Sequence, residues 1–126
     1  MTLTTMRTAP RRSFRLFICA ALIGSAVAAQ AGPGKKAYDE FAKQGQIYDD
    51  PAWQTYVQRV GERLVACTSE PKSEFHFTVL DDSGVNAFAL PDGYIFVNRG
   101  LLAYLESEDQ LAAVFGHEIG HVVAHH

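Results

Sequence analysis

The segment from Ser107 to the end of the chain constrains the fold more than any other part of the sequence. A serine at this position and Gln110 three residues later form a capping box, which satisfies free backbone N–H groups at a helix start. Apolar residues then recur on nearly every side of the helix as far as Val123. Because a helix that is apolar all round is normally buried, we expect a long buried helix from about Glu108 to the C-terminus.

This helix carries two histidines and a glutamate at a spacing that zinc sites use. His117 and His121 are four residues apart, so both imidazoles project from one helix face and can reach a single Zn²⁺ ion. Glu118 follows the first histidine and would lie beside the metal, where it can take a proton from an attacking water and pass it to a leaving amine. The pattern predicts His117 and His121 as zinc ligands and Glu118 as the catalytic base.

The helix also allows other interpretations. The motif could be a chance match on a helix surface, or it could mark a zinc-binding protein without catalysis. A straight helix carries His125 too far round and along to join the first pair, so we expect His125 and His126 to be polar residues of the helix end or to support the zinc ligands from outside. Gly116 and Gly120 each cost about 1 kcal/mol relative to alanine inside a helix, which suggests that a strand or a substrate backbone packs closely against them.

The first 31 residues differ in composition from the rest of the chain. They hold four arginines and no acidic residue, and an apolar run over Phe17–Ala29 leads into Ala29-Gln30-Ala31. These features are typical of a cleavable export signal, so residues 1–31 are predicted to be a signal peptide, with the mature chain exported to the periplasm and beginning near Gly32. An uncleaved membrane anchor, association with a membrane surface and export by a twin-arginine route (Arg11-Arg12) stay open as alternatives.

The remaining residues, 32–126, are acidic and contain one cysteine. All 14 acidic but only 7 of the 11 basic side chains fall in this part, a net charge of about −7. This balance argues against a nucleic-acid partner, because binding phosphates needs a positive face. Cys67 cannot form a disulfide within this part, and we expect it to be a small buried group on a helix.

The middle of the chain predicts helices followed by strands. Residues 35–48 have a mixed helical pattern, and Asp50 with Pro51 is typical of a helix cap and first turn. One apolar stripe at helical spacing then predicts a core face: Trp53, Tyr56, Val57, Val60 and Leu64. Alternation over 75–80 predicts a half-buried strand, and two apolar stretches around Pro91-Asp92-Gly93 predict a hairpin.

Four runs of residues closely resemble the HtpX-like and prenyl-protease-like zinc metallopeptidases, particularly their exported bacterial branch. These runs are Val85–Val97, Arg99–Leu102, Glu108–Val114 and His117–Val122. The resemblance covers about residues 38–126 and implies an α+β fold of the small gluzincin type. In such a fold a three-stranded antiparallel sheet or hairpin packs on the active-site helix, and here the domain would be incomplete at the C-terminus.

The resemblance also implies the roles of individual residues. His117 and His121 would bind one zinc ion, and Glu118 would be the catalytic base. An edge strand would bind substrate as an added strand through Asn86, Ala87, Phe88 and Ala89. The substrates implied are unfolded or outer-membrane proteins under quality control in the periplasm.

One feature of the family pattern has no counterpart in this sequence. The family takes its third zinc ligand from a glutamate downstream of the histidine pair, whereas no acidic residue follows Glu118 here. Residues 32–126 are therefore expected to be the N-terminal part of a zinc metallopeptidase domain. The alternatives are a truncated, catalytically incompetent fragment, a chaperone-like binding module that uses the hairpin edge, and a remnant without function.

Overall fold

The computed structural model describes residues 30–125, so all but the last two residues of the predicted signal peptide lie outside the described part. Its elements in chain order are α1 (Pro33–Lys43), α2 (Pro51–Val65), a 3₁₀ turn (Lys72–Glu74), β1 (His76–Leu80), β2 (Ala87–Ala89), β3 (Tyr94–Asn98), α3 (Arg99–Tyr104) and α4 (Glu108–Val123). The predicted α+β class is confirmed. Within the described range, no helix has the length and apolar character needed to cross a membrane.

The three strands form a mixed sheet in the order β1–β3–β2. The predicted hairpin is confirmed, because β2 and β3 are antiparallel with Phe88 opposite Phe96. β1, however, runs parallel to β3, with Thr78 opposite Phe96, so the expectation of a wholly antiparallel sheet is wrong. The reason is that the hairpin turns back and inserts β3 between β1 and β2, which leaves β2 as an outer strand.

The tight turn of this hairpin depends on Gly93. Its φ is 87°, in the left-handed region that favours glycine. A Cβ atom at this position would also lie 2.0 Å from the carbonyl oxygen of Glu74. The turn residue Asp92 in addition accepts hydrogen bonds from the backbone N–H groups of Gly34 (2.8 Å) and Lys35 (3.2 Å), and so holds the start of α1 against the hairpin.

Helices cover both faces of the sheet. On one face, the ring of Phe77 lies 4.9 Å from that of Phe115 of α4, and α2 packs alongside β1. On the other face, the ring of Phe41 of α1 lies 5.2 Å from that of Phe96. The core on the α2 and α4 side consists of Val57, Val60, Val65, Phe75, Phe77, Val79, Ile95, Val97, Leu101, Leu111, Phe115 and Ile119.

The predicted caps of the two long helices are present, one with a changed detail. Asp50 accepts the backbone N–H of Ala52 at 3.0 Å, as expected for the cap of α2. Ser107 accepts the N–H of Gln110 at 3.3 Å. The side chain of Gln110 then accepts the N–H of Glu106 at 2.7 Å, one residue earlier than in a standard capping box.

Helix α4 is buried along a single stripe, made of Leu111, Phe115 and Ile119. The expectation of burial nearly all round is therefore wrong for the described part of the chain, because α2 and the sheet cover only one side of the helix. Gly116 and Gly120 are exposed, and a Cβ atom at either would meet nothing within 4 Å. Within residues 30–125, the strand expected to pack against these glycines is not found.

Cys67 is exposed rather than buried, so this prediction is also wrong. The physical reason is that α2 ends at Val65, which places Cys67 in the turn that follows the packed stripe. Its thiol lies 3.6 Å from the carbonyl oxygen of Arg63.

A polar contact between α2 and α4 gives a prediction about acid stability. The Tyr56 hydroxyl donates a hydrogen bond of 2.8 Å to Glu108, and Arg63 forms an ion pair with the same carboxylate. The Tyr56 bond and then the Arg63 guanidinium lower the pKa of Glu108 below its ordinary value of 4.5. A lowered carboxyl pKa stabilises the fold above the ordinary value, and this stabilisation is lost as the pH falls through the lowered pKa.

We therefore expect Tyr56→Phe to flatten the acid limb of the stability profile. The free energy of unfolding in urea, measured from neutral pH to below 4.5, should fall less steeply in the variant than in the wild type. Because the carboxylate is exposed, the effect is small and should shrink further at high salt. Identical acid limbs would show that the contact does not link α2 to α4 in solution.

Candidate metal centre

Helix α4 carries all three residues of the predicted zinc motif. The Nε2 atoms of His117 and His121 are 2.9 Å apart, and their rings are nearly perpendicular, with centroids 4.4 Å apart at 86°. His117 is exposed and His121 is half-buried, on the side of the helix that the core leaves open. The four-residue spacing on a regular helix thus makes two imidazole nitrogens converge on one point.

The geometry of this pair fits two positions of a tetrahedral zinc site. Two nitrogens bonded to one zinc ion at about 2.0–2.1 Å lie about 3.3–3.4 Å apart at the tetrahedral angle. The separation of 2.9 Å between the Nε2 atoms of His117 and His121 approaches this value, and small ring rotations would bring it there. Among residues 30–125, no group of three or more His, Cys, Asp or Glu side chains could hold a metal ion, so the described donor set consists of these two imidazoles.

Glu118 is half-buried in the same helix. As the next residue after His117, it points about 100° further round the helix axis. This position is next to the imidazole pair but outside it, which suits a group that acts on a metal-associated water rather than one that binds the metal. Because a carboxylate can both accept and return a proton, the arrangement can carry acid–base chemistry.

His125 does not join the pair among the described residues. His125 lies after the end of α4 with a positive φ of 58°. It lines a separate shallow cleft with Glu74 and Asp92. His126 lies outside the described residues.

The predicted substrate strand, residues 86–89, lies at an outer edge of the sheet and packs beside α4. The backbone carbonyl of Asn86 accepts a hydrogen bond from the N–H of Asn98 at 3.0 Å, and the N–H of Leu90 donates to the carbonyl of Tyr94 at 2.8 Å. Backbone groups alternate along an antiparallel strand, so Phe88 also bonds to β3, while the N–H and C=O groups of Ala87 and Ala89 face outward. The other side of β2 carries no strand of the described sheet.

The side chains of β2 alternate between the two faces of the sheet. Ala87 and Ala89 pack against the core on the α2 and α4 side. Phe88 points to the opposite face, where its ring lies 5.2 Å from Phe96. Sequence reasoning treated Asn86 to Ala89 as a single unit, although the two-residue period of a strand could have separated the two sets.

Comparison with known proteins identifies the family. The model of peptidase family M48 matches residues 51–126, which span α2 to the histidine pair. The chain belongs to peptidase family M48. This membership confirms the resemblance to zinc metallopeptidases that the four sequence runs indicated. The matched range contains His117, Glu118 and His121.

Several curated relatives support the M48 assignment. The putative beta-barrel assembly-enhancing protease of Vibrio cholerae is 37% identical over 91 residues, which cover 71% of this chain and 19% of the relative. The beta-barrel assembly-enhancing protease of Escherichia coli is 36% identical over 80 residues, 64% of this chain and 16% of the relative. The mitochondrial metalloendopeptidase OMA1 of Schizosaccharomyces pombe is 42% identical over 71 residues, 56% of this chain and 21% of the relative. The chain thus spans about a fifth of the length of these relatives.

Proposed function

We propose that this protein is a zinc-dependent metalloendopeptidase that hydrolyses peptide bonds in misfolded or envelope proteins. The observation that carries the proposal is the convergence of two imidazole nitrogens, 2.9 Å apart, with a carboxylate on the same helix. Membership of family M48 supports the reaction class. The names of the bacterial relatives, which refer to β-barrel assembly, support envelope proteins as the substrate class.

Each residue of the proposed site has a separate role. His117 and His121 would hold the metal through Nε2. When bound, zinc lowers the pKa of a water molecule and polarises a carbonyl oxygen. Glu118 would accept a proton from the attacking water and deliver it to the nitrogen of the leaving amine, so that the peptide bond breaks without releasing an unstable anion.

The open edge of β2 is the proposed docking site for the substrate main chain. An extended segment could pair with the outward N–H and C=O groups of Ala87 and Ala89, in the manner of an added strand. Asn86 and Phe88 would not pair with the substrate directly. Their backbone groups bond to β3 and so hold β2 in place. Recognition by main-chain hydrogen bonds suits unfolded substrates, because every extended polypeptide presents the same groups.

A single substitution tests this docking site. Ala89→Pro removes an outward N–H but leaves the bonds between β2 and β3, and proline is tolerated on edge strands. Losing one such hydrogen bond is expected to raise KM about tenfold with little change in kcat. Ala89→Ser keeps the N–H and is the matched control; an Ala89→Pro variant that is folded and has unchanged KM would exclude pairing at this position.

The main test is cleavage of an unfolded protein by the full-length gene product. A reduced, fluorescently labelled protein should be cleaved at internal peptide bonds, and a zinc chelator should abolish the cleavage. Adding zinc back after removal of the chelator should restore it. Binding of the unfolded protein without any chelator-sensitive cleavage would contradict the proposal and favour the chaperone-like module instead.

Export to the periplasm is a further part of the proposal. It is supported by the basic and apolar leader in residues 1–31 and by bacterial relatives named for β-barrel assembly, because β-barrels are characteristic of outer membranes. N-terminal sequencing of protein isolated from the periplasmic fraction should begin near Gly32. A cell-associated chain that still starts at Met1 would contradict cleavage.

A further inference from the structure

We propose that Gln54 and Gln58 of α2 seal the outer edge of β1, so that the sheet accepts an added strand only at β2. The sheet has two outer strands, and each presents one row of backbone groups away from β3. Unpaired rows of this kind readily pair with other extended chains. The inference rests on the proposed function only in taking β2 as the docking edge.

The first seal is formed by Gln58. Its side-chain oxygen accepts the backbone N–H of Phe77 at 2.8 Å. Its side-chain nitrogen donates to the carbonyl of Phe75 at 3.2 Å. One side-chain amide therefore occupies both a donor and an acceptor at the start of the β1 edge, as the peptide group of a neighbouring strand would.

Gln54 repeats this arrangement one helical turn earlier. Its oxygen accepts the N–H of Val79 at 2.9 Å, and its nitrogen donates to the carbonyl of the same residue at 3.0 Å. The nitrogen also donates to the carbonyl of Tyr48 at 2.8 Å. Gln54 thus ties β1 to the segment that precedes α2.

That segment closes the remaining end of the edge. Ile47 forms an isolated antiparallel bridge with Leu80. The N–H of Tyr48 donates to the backbone carbonyl of Val79 at 3.0 Å, and the N–H of Asp81 donates to the backbone carbonyl of Gln46 at 2.8 Å. Two glutamine amides and a short length of backbone therefore bond to the carbonyl of Phe75, the N–H of Phe77, both backbone groups of Val79 and the N–H of Asp81.

The spacing and the residue type both fit this role. Four residues of helix rise about 6.0 Å, and two residues of strand rise about 6.6 Å. A helix lying along the strand can therefore meet each outward-facing residue with one side chain per turn. Glutamine carries a donor and an acceptor in one planar amide, whereas glutamate offers only acceptors and lysine only donors.

The consequence is that strand addition is restricted to one side of the sheet. β1 and β2 are separated by β3, so their edges lie about 10 Å apart at a spacing of about 4.8 Å per strand. An extended chain added at β1 would lie on the far side of the sheet from the β2 edge that packs beside α4. Gln54 and Gln58 would thus act as specificity residues that direct extended chains towards the histidine pair.

Amide hydrogen exchange in the full-length protein tests the seal residue by residue. Gln58→Leu should accelerate exchange at Phe77 about tenfold and leave Val79 protected, and Gln54→Leu should do the reverse. The amide of Thr78, which faces β3, should stay protected in both variants. The matched control is Gln46→Leu, because Gln46 is exposed and bonds to Asp81 through its backbone carbonyl.

Self-association provides a second readout. The double variant Gln54→Leu with Gln58→Leu should associate more strongly than the wild type in sedimentation velocity. Adding Ala89→Pro, which obstructs the β2 edge, should leave this new association in place.

Two results would overturn the proposal. One is unchanged exchange at both Phe77 and Val79. The other is loss of protection at every amide, Thr78 included, which would give the glutamines a general role in stability instead. Neither measurement depends on hydrolysis, so failure here is distinguishable from failure of the proposed peptidase activity.

Discussion

Replacing Glu118 by glutamine is expected to lower kcat for peptide hydrolysis by about 10²–10⁴-fold, the usual contribution of a positioned general base. Glutamine has nearly the same shape as glutamate, but its amide cannot take a proton from water. The imidazoles of His117 and His121 are unchanged by the substitution, so zinc content should remain that of the wild type. Steady-state kinetics on an unfolded substrate, together with metal analysis of the same preparation, measures both quantities.

A matched control separates this effect from a simple loss of charge. Glu106 is exposed and lies just before α4, so Glu106→Gln removes one negative charge at a distance from the histidine pair. That variant should keep wild-type kcat. Activity of Glu118→Gln within twofold of wild type would rule out the proposed role of the carboxylate.

Replacing Gly61 by valine is expected to destabilise the fold by about 3 kcal/mol, at the upper end of the cost of overpacking a core. Gly61 is buried in α2, and a Cβ atom there would lie 2.3 Å from the ring of Phe77. That ring cannot move away freely, because Phe115 packs against it at 4.9 Å. Urea unfolding followed by circular dichroism measures the change.

The same substitution on α4 should behave differently. Gly116 also lies inside a helix, but a Cβ atom there meets nothing within 4 Å among the described residues. Gly116→Val should therefore change the free energy of unfolding by less than about 0.5 kcal/mol, since only helix propensity differs. Equal losses at the two positions would mean that contact with Phe77 is not the reason for glycine at position 61.

The local features of the fold could be predicted because their signals lie within a few residues. Neighbouring backbone groups are enough to form the cap at Asp50, the turn that ends in Gly93 and the cap at Ser107. The metal motif could be predicted for the same reason, because the spacing of His117 and His121 has a fixed meaning on a helix.

The order of the strands could not be predicted in this way. Alternation indicates which residues of a strand face the core, but it does not say which strands are neighbours. Nor did it predict that Thr78 is buried at 6% exposure, because that requires helix α1 on the second face of the sheet. Gln54 and Gln58 look like ordinary polar residues of α2 until the edge of β1 is placed beside them.

Burial of whole helices depends on contacts that are distant in sequence. The apolar residues around α4 predicted complete burial, but the described chain covers only the stripe through Phe115. The exposure of Cys67 could not be predicted because it depends on α2 ending at Val65, a boundary that sequence patterns locate poorly.

The proposed peptidase activity depends on a zinc ion held by the imidazoles of α4. X-ray absorption at the zinc edge of the full-length, zinc-loaded protein tests it most directly, because imidazole ligands give a distinctive scattering pattern. We expect two histidine nitrogens at about 2.0–2.1 Å from the zinc ion, with one lost in His121→Ala and both lost in the double variant with His117→Ala. A wild-type spectrum from the double variant would contradict it.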